Sequence, residues 1–551
     1  MSRAAELARN LRFTASFACG ALVTDPAWLV LQASRRLPAR VSAVVVPRVE
    51  KVVGDGTSGP AGRLRAAWAA GDVAALRDAE PRGSTERRVR RSLLGQVAAL
   101  DLEEDAELPA PGPAGASGAT ATAASGSPER AVAVHHHLTN SLPHTQSGYT
   151  LRTHAILTTQ RAAGLDVTAT TRAGYPLTIG ALGARATDVV DGVPYTRLIP
   201  RSLPSDPARR TADATALLVE AVRTSGPDVV HATTPWTTGA AARAAARRLG
   251  LPWVYEVRGL PEETWAASHP TAEAREAATA SERYALIRAK ETELARTADH
   301  VVTLSATMRD ELAARGVPAD RITVVPNAVD AALLDADTPD PAAARERLGL
   351  SGPRYLLGTV TSVVGYEGLD TILRTVARLR AAGLDVGALV VGDGVARPGL
   401  LRLATELGIA EHTTMPGRVP RDVAHTYLAA LDAVLVPRRP DRVTRLVTPL
   451  KPVEAMALGR PVVASDLPAL REVCSPVDGG DPAALLVAPD DEAAWADAVE
   501  HLLTDDAARS AQVAAGRAVA AQRTWTRLVA RYDLAYAAAT GAATSTRKDP
   551  R

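Results

Sequence analysis

Residues 448–472, TPLKPVEAMALGRPVVASDLPALRE, hold two helix starts around one apolar strand. Thr448 and Pro449 open a short helix with Lys451 and Pro452 at its start, Glu454 in its first turn and Gly459 at its close. Proline near the first helical position and glycine just past the last is the asymmetry a short helix shows. Pro461–Ala464 then reads as a buried strand, and Ser465-Asp466 turns into a second helix at Pro468. A helix N-terminus, a lysine and a carboxylate therefore lie within a few residues of one another. The unpaired amides and the lysine suit an anion, while Glu454 can take hydroxyl groups. A ligand carrying both is a nucleotide sugar.

The chain has 551 residues, long enough for three or four domain-sized units. Its 63 basic and 61 acidic residues leave a net charge of +2, which gives no overall attraction to nucleic acid or membrane. The local cluster Glu86–Arg91 (ERRVRR) reads as a solvated helix face. Two cysteines, Cys19 and Cys474, supply no disulfide framework and fit a reducing compartment. No run reaches the roughly 18–20 apolar residues that a membrane helix needs. Phe13–Val23 follows arginines as a signal peptide would, but Asp25-Pro26 restarts a helix, so an amphipathic helix is expected there.

Residues 1 to about 105 read as a small helical unit, with Trp68, Leu76, Val89, Leu93, Leu94 and Val97 as an apolar stripe. It carries no catalytic motif, so a packing or partner-binding appendage is expected. Pro109–Ser127 is too poor in apolar bulk to fold and is a linker. Strands and helices alternate from Ala131: AVAVHHHL, LDVTATT (165–171), VPYTRLI (193–199), DVVH (228–231), PWVYEV (252–257) and HVVTLS (300–305). One long helix is expected over about Thr271–Arg296. The alternation restarts with YLLGTV (355–360), VGALVVG (386–392), AVLV (433–436), PVVA (461–464) and ALLV (484–487). Such alternation argues for parallel sheets covered on both faces, and two Rossmann-like halves in tandem predict a ligand cleft between the carboxyl ends of their strands.

Several motifs in order now resemble one family. QSGYTLRTH (146–154), YEVRGLPEETW (255–265), VVTLSATMRDEL with ITVVPNAVD (301–330), YEGLDTIL (366–373), VVGDG (390–394) and the 448–472 stretch are similar to those of retaining GT-B glycosyltransferases of family 4. The resemblance covers about residues 131–540. It implies a first, acceptor domain over 131–335, a second, nucleotide-sugar donor domain over 336–524 and a terminal crossover helix over 525–540. The helical extension (1–108), a flexible linker (109–130) and a disordered tail (541–551) complete the expected organisation.

Carried over residue by residue, the resemblance puts Gly148 against the donor diphosphate, where lack of a Cβ permits close approach. It puts Arg258 where the family usually has a histidine near the transferred sugar. Arginine is no base at neutral pH, but it can clamp a phosphate or carboxylate bidentately, unless Glu256 or Glu262 holds it in a structural ion pair. Glu454 matches the second glutamate of the family's Glu-x7-Glu motif and would bind ribose, whereas Leu446 replaces the first. The two basic residues usually near Gly368 are here Ser362 and Glu367. Replacement cations stand in PRRPDRVTRLVTPLK (437–451), with Lys451 expected first and Arg438 or Arg439 second as phosphate contacts. Arg442 and Arg445 lie in the same run, Asp393 and Arg418 would neighbour the base and donor, and Leu467 and Ala469 would offer amides to sugar or phosphate. His135, His136 and His137 lack carboxylate partners, so no metal site is expected.

The expectation is therefore an α/β protein of two tandem Rossmann-like domains with a helical extension. It would transfer a hexose, with retention, from a nucleotide sugar to a saccharide or lipid-linked acceptor. No cofactor, metal or nucleic acid is expected, and the protein would be cytoplasmic with a peripheral membrane contact. The rivals are a nucleotide-sugar epimerase and a non-catalytic nucleotide-sugar-binding protein, the latter suggested by Leu446 and Arg258.

Overall fold

The computed structural model describes residues 2–24, 30, 61–101, 131–202, 204, 206–335 and 338–541. The linker, Asp25-Pro26 and all but the first residue of the tail lie outside the described residues. The chain forms two compact units: Met1–Val302 with Arg315–Ile322 and Asp533–Arg551, and Thr303–Ala314 with Thr323–Tyr532.

The first sheet contains β1 (Ala133–Leu138), β2 (Asp166–Thr171), β3 (Thr187–Val190), β4 (Val193–Arg197), β5 (Val229–Thr233), β6 (Trp253–Val257), β7 (His300–Thr303) and β8 (Ile322–Val324). Their order is β3-β4-β2-β1-β5-β6-β7-β8. All six residues of β1 and all five of β5 and β6 are buried, as in parallel strands with both faces covered. Strand β3 was not expected. It pairs antiparallel with β4 around Asp191-Gly192, whose φ values of 47° and 77° are those of a hairpin turn needing two left-handed residues.

The helical extension is part of this unit. Phe13 is fully buried with Leu177 and Ala184, while Leu64, Leu76, Val89 and Leu93 form a small core with Trp68 and Leu94 beside it. Glu86 of the basic cluster is buried and paired with Arg63 at 2.9 Å, so this helix is not solvated all round. The Arg283 guanidinium lies 4.1 Å from the Trp68 ring centroid and 4.6 Å from that of Trp265. Arg77 meets Glu282 at 2.5 Å, and Lys290 donates to the Asp101 carbonyl at 3.0 Å. The long helix expected over 271–296 is two helices, Ala272–Thr279 and Glu282–Thr297. Ser281 accepts from the Tyr284 amide and starts the second. Gly71, with φ +80°, fits against it there: a Cβ would stand 2.3 Å from the Ser281 hydroxyl.

The second sheet contains β9 (Tyr355–Val360), β10 (Val386–Val391), β11 (Thr413–Gly417), β12 (Ala433–Val436), β13 (Val462–Ser465) and β14 (Leu485–Val487). Its order, β11-β10-β9-β12-β13-β14, with parallel pairing throughout, is the 3-2-1-4-5-6 order of a dinucleotide-binding sheet. Edge strand β11 was also not expected, because Pro416 and Gly417 give it the look of a loop.

In the terminal helix, Trp525–Thr540, Trp525, Leu528 and Tyr532 are buried as expected. Leu534, read as apolar-facing, is 53% exposed, and Tyr536 is the buried residue instead. Gln160 donates to the Tyr536 hydroxyl at 2.8 Å, and His231 Nδ1 lies 2.9 Å from it. No described helix is long and apolar enough to cross a membrane.

Gly71→Val adds both a clash and backbone strain at the dock of the extension. Limited proteolysis should therefore release residues 1–101 faster from the variant than from the parent. Equal release rates would contradict the described packing.

Candidate functional site

The second sheet reverses its strand order between β9 and β12. In open α/β sheets the loops leaving such a pair of strands diverge to opposite faces and leave a crevice at their carboxyl ends. Glu367 and Gly368 lie on the loop after β9, Arg438 and Arg439 on the loop after β12, and Lys451 begins the helix Lys451–Ala457. Gly368 has φ +64°, and a Cβ there would fall 1.9 Å from the Pro437 carbonyl oxygen, so only glycine lets the two loops touch. The Arg439 amide donates to the Tyr366 carbonyl at 3.0 Å and fixes the contact. Asn327 Nδ2 donates to the Thr448 carbonyl at 2.9 Å and steadies the approach to the helix.

The structure brings Lys451, Arg438 and Glu454 together but gives the two cations a partner the sequence reading did not foresee. Lys451 Nζ meets Glu367 Oε2 at 2.6 Å, and Arg438 Nη2 meets Glu367 Oε1 at 2.9 Å. Arg438 also donates to the Val447 carbonyl at 2.8 Å. Burial would raise the Glu367 carboxyl, but the charges and hydrogen bonds of Arg438 and Lys451 hold it down at about 2. Burial lowers Lys451, with Glu367 opposing that shift and Arg438 adding to it. Glu454 is partly exposed, and its Oε1 lies 3.8 Å from His425 Nε2.

The other candidates of this unit divide. Arg439 pairs with Asp370 at 3.0 Å on the surface, Arg442 with Glu311 at 2.6 Å, and Arg445 is exposed. The Leu467 amide, expected to face the ligand, instead donates to the Ser465 carbonyl at 2.8 Å. Ala469 is fully buried in the first turn of the helix Pro468–Cys474. Asp393 accepts from its neighbour's amide, Gly394 N, at 2.9 Å and so shapes its own turn, while Arg418 is exposed.

In the first unit, Gly148 opens the helix Gly148–Ala162, capped by Ser147. A Cβ at Gly148 would meet no atom within 4 Å, so no contact within the chain demands glycine there. Arg258 leaves the end of β6 and returns to this helix, donating to Thr153 Oγ1 and, at 3.4 Å, to the Tyr149 carbonyl. Its other nitrogen meets Glu256 at 2.6 Å. Glu256 also takes Arg152 at 3.0 Å and His231 at 3.2 Å, all four side chains being buried. Burial works against the Glu256 charge, but Arg258 and Arg152, with the bond from His231, keep its carboxyl well below the ordinary range. Arg258 is thus in the structural ion pair raised as the competing reading. His135 and His137 share Thr170 Oγ1 at 2.9 and 3.0 Å, and burial lowers them to about 4 and 3.

Arg258→Ala leaves the buried Glu256 short of a cation and should cost about 3–5 kcal/mol in the unfolding of the first unit. Gly148→Ala should cost less than about 0.5 kcal/mol, since the added Cβ meets no atom within 4 Å. Denaturant unfolding measures both. Glu367 is depressed in the folded state, so its stabilisation is complete above about pH 4.3 and fades as pH falls toward 2. The stability gap between parent and Glu367→Gln should therefore close over that window, and a constant gap would contradict it.

Residues 147–328 match the family model of the glycosyl transferase 4-like domain, and residues 354–505 that of glycosyl transferases group 1. The chain is 33% identical over 312 residues to D-inositol 3-phosphate glycosyltransferase of Stackebrandtia nassauensis, covering 54% of this chain and 65% of that one. It is 30% identical over 381 residues to the protein of the same name from Xylanimonas cellulosilytica, covering 68% of this chain and 86% of that one. The match thus spans slightly under two thirds of the first relative and most of the second. Sucrose-phosphate synthase from Thermosynechococcus elongatus aligns over 73% of this chain and 98% of its own, with a TM-score of 0.57 at 18% identity, a likeness of fold. With both domain models in order and a relative covered over 86% of its length, the chain belongs to the GT-B glycosyltransferases of the group 1, family 4 type.

Proposed function

We propose that the chain transfers a hexose, with retention of configuration, from a nucleotide-sugar donor to an acceptor hydroxyl in cell-surface polysaccharide or glycolipid synthesis. The observation that carries this reading is the gathering of Arg438, Lys451 and Glu454 at the switch point of the second sheet. Glu454 accepts from the ribose hydroxyls. Lys451 and Arg438 face the diphosphate and take up its charge as the bond from the anomeric carbon to the phosphate oxygen breaks. The acceptor oxygen forms its bond to the same carbon on the face the phosphate leaves, and a phosphate oxygen receives the acceptor proton. In this reading Arg258 holds the Gly148 helix in place through Tyr149 and Thr153, a positioning role in which it has no proton to exchange.

The two relatives named for D-inositol 3-phosphate make a phosphorylated polyol the first acceptor to try. A cytoplasmic location with a peripheral contact to the membrane's inner face suits a lipid-linked alternative. No metal or cofactor takes part, so EDTA should leave the rate unchanged.

A thermal-shift screen against UDP-, GDP- and ADP-sugars tests the donor site, with Glu454→Ala and Lys451→Ala as controls. One base should stabilise the parent, Glu454→Ala should lose at least tenfold in affinity, and Lys451→Ala should lose its response to the diphosphate. Equal shifts in all three proteins would refute the assignment. The anomeric configuration of the product, read by NMR coupling constants, tests retention.

A further inference from the structure

The helix Arg3–Thr24 lies outside both matched family models and is seated on the first unit by one edge. Phe13 is fully buried there, Asn10 donates to the Leu182 and Ala184 carbonyls at 2.9 Å, and Glu6 accepts from the Ala186 amide at 2.9 Å. The opposite face is apolar and meets solvent. Leu7 and Leu11, 46% and 51% exposed, share it with exposed Ala4, Ala8 and Ala15 at helical spacing. The segment bonded along the helix adds exposed Leu182, and Ile179 just before it. Four of the eleven large apolar side chains that stand exposed among the described residues therefore gather around this one helix. Arginines flank the stripe, Arg3 on one side and Arg12 and then Arg9 on the other. Arg9, Arg12 and Arg201 line a cavity of about 450 Å³ between the helix and Ile199–Arg201, the segment that follows β4. Glu6, the carboxylate of the helix, is turned inward and paired with Arg3 at 3.2 Å. Arg9 bonds its neighbour Asn10 at 3.1 Å and is only near Glu6. Asp188 of the adjoining hairpin is taken by Arg197 and His144. Among the described residues the cavity's three arginines thus have no carboxylate of their own.

We propose that this face docks on a bilayer carrying anionic phospholipid, with Leu7 and Leu11 entering the interfacial layer and the cavity of Arg9, Arg12 and Arg201 taking a lipid phosphate. An apolar stripe between basic flanks is the form of a helix that lies in a bilayer interface. Guanidinium groups hold phosphate oxygens through paired, charge-assisted hydrogen bonds, which suits a cavity lined by three of them. A protein partner fits less well, because protein interfaces draw on aromatic anchors and the exposed stripe holds none. The docked face is also placed to matter. Residues 177–184 follow β2 and residues 199–201 follow β4, so both segments lie toward the carboxyl ends of their strands, where α/β sheets take their ligands. A docked first unit therefore presents its ligand-binding end to the bilayer, which favours a lipid-linked acceptor over a soluble one. That last step rests on the acceptor reading above; the docking does not.

Co-sedimentation of the full chain with vesicles tests this, using phosphatidylcholine alone and phosphatidylcholine with phosphatidylglycerol. The parent should bind the anionic vesicles at least about tenfold more tightly than the neutral ones, and added salt should weaken that binding. Arg12→Gln with Arg201→Gln should lose about tenfold or more on anionic vesicles. Leu7→Ser with Leu11→Ser should lose about as much. All four side chains are exposed, so both variants should keep the parent's thermal midpoint. Equal binding of the parent to both vesicles overturns the proposal, as does no binding to either, and so does a variant of either kind that binds as the parent does. Loss in the arginine variant alone would leave an anion site without docking. Release of the parent from vesicles by free glycerol phosphate at matched phosphate concentration would assign the cavity to a soluble phosphate and overturn the lipid assignment. Self-association of the parent in vesicle-free solution that Leu7→Ser with Leu11→Ser abolishes would assign the face to a second copy and overturn it too. None of these outcomes bears on the donor site, which the nucleotide-sugar screen tests separately.

Discussion

The Glu367 carboxylate, held by Arg438 and Lys451, joins the loop after β9, the loop after β12 and the start of the Lys451 helix. Burying a carboxylate with no partner is costly, and burying two cations side by side is costly too. The carboxylate is tolerable here because both cations face it, and each cation is tolerable because the carboxylate offsets the repulsion of the other. The strand order puts them within reach: β9 and β12 are neighbours in the sheet although 72 residues of chain separate Val360 from Ala433. Those residues, 361–432, carry β10 and β11 to the far side of β9, and Ala433 then returns the chain beside it as β12. Gly368 closes the remaining distance, since any side chain there would strike the Pro437 carbonyl.

Most of this fold was legible because a parallel strand buried on both faces is an unbroken apolar run. Leu356–Val360, Val386–Val391 and Val462–Ala464 announce themselves that way. The strands that escaped notice are the ones that lack such a run: β3 is a half-exposed hairpin arm and β11 an edge strand ending in Pro-Gly. The break at Ser281 escaped although its cap is local, Ser281 accepting from the Tyr284 amide; the Gly71 turn that packs against it comes from about 210 positions away. In the terminal helix the periodicity chose Leu534 over Tyr536, whereas burial chose the residue whose hydroxyl had partners in Gln160 and His231.

The site was legible as a set of residues and illegible as a set of pairs. Lys451, Arg438 and Glu454 could be picked from the run 437–454, but Glu367 lies 84 positions before Lys451, and no periodicity links them. Its place directly before Gly368, where a cation was expected, was the available signal. The same holds in the first unit. Arg258 was noticed as a departure from histidine, and Glu256 as a competitor for it, but Arg152 and His231 reach Glu256 only through the sheet. That buried group secures the helix beginning at Gly148, so a change of residue near the expected sugar site is absorbed as architecture.

Hydrogen–deuterium exchange with and without a nucleotide sugar tests the donor assignment most directly, because it locates the ligand without assuming which residues matter. Protection gained in the second unit should fall on residues 361–368, 437–446 and the start of the helix Lys451–Ala457. Protection in that unit confined to other loops, such as residues 475–484, would contradict it.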